Sequence, residues 1–417
     1  MIFCTYWFLI SVALFLPLYW CLGLCKNLSP SLMVKLRLWA LLIFCAVFHS
    51  HFAGAAGVAP IAVLALLTYV TALTASKFKK GGGWLCLSTI IIVTAALLTY
   101  KYSRFLLLDV LASVNKPLAE HFAASLFAAL PATPPLAISF FAFEFIHYLY
   151  EVRRGREPIK KPQDFLAFAI FFPSLVAGPI KRYQDFIPSL YQGLSAVSSR
   201  DVAAGMVRLA AGFFKKLMIA DNINQYILEK QAFYFAVDLP ERWLFLLALA
   251  GRIYYDFSGY TDIALGLAMM MGIKLPPNFN GPYGATSIRD FWQRWHMSLS
   301  FWIRDYIYIP LGGSQHGLAR RILSGILAFA LCGLWHGASW NFLFWGLYHG
   351  LGLAINTVYR KLPWLSPLWK LYDKYPLTAR LTTFLFVVFG WLPFFYPLDK
   401  AWSMFLMLFQ FKGVSGD

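Results

Sequence analysis

The chain has 417 residues, 59% of them hydrophobic, 18% aromatic and only 13% charged, with a formal net charge of +17. A soluble globule carries roughly a quarter charged residues, so this composition excludes an ordinary soluble domain and indicates an all-α, polytopic membrane protein. The 36 Lys and Arg lie in short links between apolar runs and not in one long patch, which excludes a nucleic-acid partner and assigns them to retaining those links at a membrane face. The six cysteines, Cys4, Cys21, Cys25, Cys45, Cys86 and Cys332, are scattered through apolar stretches without metal-ligand spacing. They read as small hydrophobes, and no metal site or bound cofactor is expected.

Met1 to Cys25 lacks the basic start and small-residue cleavage site of a secretory signal and is long enough to span, so it reads as a retained first helix. Hydropathy places further spans near 38–57, 58–76, 84–100 and 122–150. The links carry Lys26, Lys35 and Arg37, then Lys77, Lys79 and Lys80, then Arg153, Arg154, Arg156, Lys160 and Lys161. If each span crosses once and 101–121 returns to its own side, all three clusters share one face, the cytoplasmic one, and the N-terminus is outside. The apolar stretch 103–113 is too short to cross and reads as re-entrant or interfacial. PATPP at 131–135 should kink or break the fifth apolar region. Glu144 and His147, at i and i+3, are expected to share a local hydrogen bond on one helix face.

From 162 the texture changes, with an eight-residue apolar run ended by Pro173, then Gly178-Pro179 and the pair Lys181, Arg182. A break of this kind in a membrane protein must be buried in protein or line a cavity. Residues 199–230 read as an interfacial-to-spanning helix capped by Ser198 or Ser199, with Lys215 and Lys216 placed for lipid phosphates in preference to an anionic donor. In the long span 241–273, Asp256 and Asp262 read as buried carboxylates of the scaffold, Arg252 being the nearest candidate partner for Asp256. The stretch 275–287 is rich in Pro, Gly and Asn and reads as a turn-rich connection.

That connection leads into RDFWQRWHMSLSFWIRDYIYIPLGGSQ (289–315) and, after a basic link with an exposed His316, LCGLWHGASWNFLFWGLYHG (331–350). His296, His336 and His349 stand in these aromatic, lipid-compatible segments, where an ionisable side chain is disfavoured and therefore a functional candidate. Helical spacing puts His296, Ser300 and Arg304 on one face, with Asp290 and Arg294 as an i, i+4 pair beside it. Gly337 lets another backbone or an extended substrate approach His336. Beyond Gly350 come a basic, Pro-interrupted stretch from Arg360 to Arg380, a span at 381–396 and an apolar segment at 401–411, with no internal repeat. The chain reads as one integral membrane domain, with N-terminal spans in 1–160, a core in 161–350 and C-terminal spans in 351–417.

FWQRWHMSLSFWIRDYIYIPLGG and GLWHGASWNFLFWGLYHG, together with FFPSLVAGPIKRYQDF (171–186) and YYDFSGYTDIALG (254–266), resemble the membrane-bound O-acyltransferases, in their bacterial branch of alginate and peptidoglycan O-acetyltransferases and teichoic-acid D-alanyl transferases. The resemblance implies a multi-helix bundle with broken, re-entrant helices around a central channel. It implies the histidine of the WHG type, His336, as catalytic base, and an Asn or His at the earlier position, here His296. Trp335, Trp340 and Asn341 are expected to orient the base or the acyl group, with Ser300 and Arg304 on the substrate side.

Acyl transfer needs a base for the acceptor hydroxyl, donors for the oxyanion and a site that keeps water from the thioester. An imidazole meets the first need. The reading is therefore an acyltransferase of the bacterial inner membrane. It passes an acyl group, acetyl by preference, from a cytoplasmic acyl-CoA or acyl-carrier thioester to an envelope polysaccharide or an envelope-side acetyltransferase- or esterase-like partner. A teichoic-acid D-alanyl transferase is the near alternative. The alternative of another class is a transporter or flippase using midplane His, Arg and Asp.

Overall fold

The computed structural model describes residues 2–25, 28–78, 81–131 and 133–410, and among these every regular element is helical. Lys26, Lys79, Lys80, the second residue of PATPP and position 411 of the final apolar segment lie outside them. Among the described residues five helices are long and apolar enough to cross a membrane: Tyr6–Leu24, Pro30–Ala75, Gly82–Tyr102, Gly317–His336 and Pro376–Phe395.

The two spans expected in 38–76 are two helices within Pro30–Ala75, parted where the backbone leaves helical geometry at Gly54 (φ 63°, ψ 174°). Without that break the 46-residue segment would measure about 69 Å at 1.5 Å per residue, more than twice a ~30 Å hydrocarbon core. It must turn on itself, and Gly54 supplies the left-handed φ that a side chain would resist. The stretch 103–113 is not a separate piece of chain. Wide π-type turns at Leu98–Tyr102 and Phe105–Leu111 extend the Gly82–Leu97 helix through it. The proline-rich break holds: Lys116–Ala129 ends before it and Ile138–Arg153 starts after it.

Contacts divide the chain into two compact units, one of Met1–Gly212 with Tyr260–Pro276, the other of Phe213–Gly259 with Pro277–Asp417. In the first, rings of Phe3, Phe8, Phe48 and Tyr260 gather, Phe3 lying 4.7 Å from both Phe8 and Tyr260. Tyr19 and Trp20 donate to the carbonyls of Met271 and Met270 at 3.3 and 2.8 Å, supplying partners that the end of the Leu239–Met270 helix cannot find within itself. Arg37 does not stay among the exposed link charges. It is buried and donates to the carbonyls of Tyr19 and Leu194, each at 3.1 Å.

The broken segment after 162 runs Pro162–Ile170, a 3-10 turn Phe172–Ser174, and Tyr183–Ser195. Phe171, Phe172, Ser174 and Leu175 are buried, as irregular backbone in lipid requires. Glu144 finds its partner far along the chain and not one turn away. Lys181 Nζ lies 2.5 Å from its Oε1, and both side chains are buried. His147 meets Gln184 at 3.3 Å. The local pairing fails because Lys181, carried in by the break, offers a full opposite charge that a helical neighbour cannot. Ser198 accepts from Asp201 N at 3.0 Å, the expected cap. Asp262 pairs with Arg208 at 2.9 Å.

In the second unit Asp256 is half exposed and pairs with Lys216 at 2.7 Å. Arg252 instead lies 5.0 Å over the Phe395 ring. Lys216 also meets Asp221 at 2.6 Å, so this lysine is held by carboxylates and not offered to lipid phosphates. Lys230 meets Glu241 at 2.5 Å, and that hydrogen bond raises the lysine pKa. The fully buried Arg242 donates to the carbonyls of Met407 and Gln410 at 3.0 and 3.2 Å, while Tyr234 and Trp243 take those of Met404 and Leu408. Three side chains thus finish the Leu398–Met407 helix. Arg242→Ala is expected to destabilise this unit by about 2–4 kcal/mol, since it strands buried carbonyls that a charged donor now satisfies. Denaturant unfolding in detergent checks it, and an unchanged midpoint counts against the role.

Candidate active site

His336 is the last residue of Gly317–His336, and after three intervening residues the chain re-enters helix at Trp340–Val358. The two helices pack at backbone distance because Gly333 and Gly346 face each other. A Cβ on Gly333 would strike the Phe342 carbonyl, and one on Gly346 the Phe329 carbonyl. Gly333→Ala is expected to cost about 1–3 kcal/mol of stability by overpacking, read as a lowered thermal midpoint of the purified protein.

Around the half-buried His336 ring stand Trp335 at 4.8 Å, Trp345 at 5.1 Å and Phe394 at 5.2 Å between centroids, all edge-on. The Trp335 ring also lies 6.0 Å from His296, so one indole touches both expected catalytic imidazoles. His349 stands 4.8 Å behind Trp345 and 5.2 Å from Trp292, fully buried. Among the described residues neither of its ring nitrogens has a hydrogen-bond partner.

His296 is not on a continuous helix with Ser300 and Arg304. The Ile288–Arg294 helix ends, His296 adopts left-handed backbone (φ 42°, ψ 52°), and Met297–Ile303 begins anew. Among the described residues only Ala137 shares a positive φ without being glycine. Such a conformation costs of order 1–2 kcal/mol, and an outlier of this kind is a pointer to function. Asn278 holds the elbow: its carbonyl accepts from Met297 N at 2.9 Å and its Oδ1 from Ser298 Oγ at 2.6 Å. The imidazole is buried against Phe257 at 4.6 Å, and among the described residues its Nδ1 lacks a hydrogen-bond partner. The Asp290–Arg294 pair forms as expected, at 2.7 Å.

The remaining expected residues separate. Ser300 donates to the Trp295 carbonyl at 3.1 Å, and Arg304 pairs with Asp305 at 2.7 Å. Both line a cavity of about 370 Å³ whose lining does not include His296 or His336. The helical stripe joining His296 to Ser300 and Arg304 is therefore absent, because the elbow rotates the imidazole away from the next turn. Asn341 accepts from Ser339 Oγ at 2.5 Å and donates to the Pro393 carbonyl at 3.1 Å, tying the hairpin to the residue before Phe394. Trp340 is 48% exposed. His316 is exposed, as expected.

Sequence reasoning missed Trp345, Phe257, Asn278 and Phe394. Trp345 and His349 stand at i, i+4, a spacing that could have flagged one face. Phe394, in a separate span, carries no signal.

Helices long and apolar enough for several spans, with two imidazoles joined through one indole, define a multi-span membrane protein with a histidine centre. The chain belongs to the MBOAT, membrane-bound O-acyltransferase family, whose profile it matches over residues 5–397. It is 37% identical over 337 residues to the "Probable alginate O-acetylase AlgI" of Azotobacter vinelandii, covering 79% of this chain and 63% of that one. It is 33% identical over 367 residues to the "Peptidoglycan O-acetyltransferase" of Helicobacter pylori, covering 80% and 65%. To the "Teichoic acid D-alanyltransferase" of Bacillus subtilis it is 31% identical over 273 residues, covering 62% and 69%. The chain spans about three fifths of the length of the alginate relatives it matches.

Proposed function

We propose that this protein is a membrane O-acyltransferase that moves an acyl group, acetyl by preference, from a cytoplasmic thioester to an envelope polysaccharide or to an envelope-side partner protein. The observation that carries the reading is His336, held by Trp335, Trp345 and Phe394 at a helix end within the family match. Its imidazole takes the proton of the acceptor hydroxyl as that oxygen attacks the thioester carbonyl. The thiolate leaves, and the proton passes to it. The aromatic walls limit water at the reacting carbonyl. His296, across Trp335, orients the acceptor or the acyl group, while Asn341 positions the hairpin through Pro393. Ser300 and Arg304, set apart in the cavity, are left without a role in this step.

Support for acetyl over D-alanyl is the higher identity of the alginate and peptidoglycan relatives and the larger share of this chain that they match. The bacterial inner membrane is the proposed location, since the donor is cytoplasmic and the acceptor lies outside. The test supplies radiolabelled acetyl thioester to membranes carrying the wild type or His336→Ala at equal protein levels. Label in envelope polymer from the wild type alone is expected. Equal label from both ends the reading, and thioester released unchanged on the far side favours a transporter.

A further inference from the structure

The 370 Å³ cavity has an amphiphilic lining that acyl transfer at His336 leaves unused. Its lining combines Arg289, Arg321 and Ser314 with Phe329, Cys332 and Leu353. Arg304 is occupied by Asp305, whereas among the described residues neither Arg289 nor Arg321 has a carboxylate, hydrogen-bond or ring partner. Two unpaired guanidiniums in the lining of a largely apolar cavity match one kind of ligand, an anion carrying an apolar tail.

The setting favours a lipid over a soluble anion. One wall is the Gly317–His336 helix, among those apolar enough to span, and its Leu323, Leu327 and Leu331 are 43–49% exposed. Arg321 is the fifth residue of that helix, near the end where a spanning segment meets headgroups. From Arg321 to Cys332 the helix rises about 16 Å, close to one leaflet's half of a ~30 Å hydrocarbon core. We propose that this cavity binds an anionic glycerophospholipid, its phosphate held by Arg289 and Arg321 and an acyl chain lying along Phe329, Leu353 and Cys332.

Native mass spectrometry of the full chain in detergent, with phosphatidylglycerol and phosphatidylcholine of matched chains, tests this. The wild type is expected to retain phosphatidylglycerol about 30-fold over phosphatidylcholine, the factor two cations near an anionic headgroup supply. Arg289→Gln with Arg321→Gln is expected to remove the preference while the protein elutes as one species, and Arg289→Lys with Arg321→Lys to keep most of it. Equal retention of both lipids by the wild type overturns the proposal, as does a preference that survives the Gln pair. Displacement of bound phosphatidylglycerol by equimolar acetyl-CoA or inorganic phosphate also overturns it, because the anion site then serves a soluble ligand. If the Gln pair does not fold, the wild-type preference and the displacement arm decide. Neither readout depends on acyl transfer.

Discussion

His336→Gln is expected to lower kcat for acyl transfer by about 10²–10⁴-fold, the range a positioned general base supplies, with KM for the thioester little changed. Glutamine keeps a polar side chain of similar reach between Trp335, Trp345 and Phe394 but cannot accept and return a proton near neutrality. His296→Gln is expected to cost less. This imidazole is buried at a strained elbow and meets the other through Trp335, so its part in the proposed reaction is to place a reactant. The combined variant should be scarcely slower than His336→Gln alone, because groups acting in one step do not add. Steady-state rates in proteoliposomes check all three. Multiplying effects would separate the two histidines into different steps, and an active His336→Gln would remove the base altogether.

Glu144→Leu alone is expected to destabilise the first unit by about 3–5 kcal/mol, leaving Lys181 charged and buried without its counterion. Lys181→Met alone should do the same from the other side. Glu144→Leu with Lys181→Met should recover most of the loss, since apolar groups of similar volume replace a buried pair at little cost. Chemical unfolding in mild detergent, fitted as a double-mutant cycle, measures the coupling. Additive losses would show that the two charges are held by other groups. The pair also fixes the broken segment: Lys181 lies beyond Phe172–Ser174 and is drawn onto the Ile138–Arg153 helix.

Much of the architecture was legible because it follows from local chemistry. A helix cap needs one hydroxyl at Ser198, a break needs the prolines of 131–135, and a span needs only enough apolar residues. The centre was legible in part. His336, His296 and Trp335 stand in two recognisable blocks, and the structure joins them through one indole ring. Ser300 and Arg304 misled, because helical spacing assumes an unbroken helix and the left-handed backbone at His296 interrupts it.

Partners of charged groups were the least legible. Glu144 pairs with Lys181, Asp256 with Lys216, and Arg37 with two carbonyls, all beyond the i, i+4 reach that sequence spacing can test. The same holds for Phe394 against His336, contributed by a span outside both blocks.

By itself, then, the sequence determined that this is a helical membrane protein of the acyltransferase family, with His336 and His296 as its outstanding polar groups. Hydropathy and motif are properties of consecutive residues, and consecutive residues suffice to read them. Tertiary structure alone decided which aromatic walls hold each imidazole, which carboxylate neutralises each buried cation, and which arginines remain unpaired. Those choices depend on side chains tens or hundreds of positions apart meeting where burial makes an unmatched charge costly.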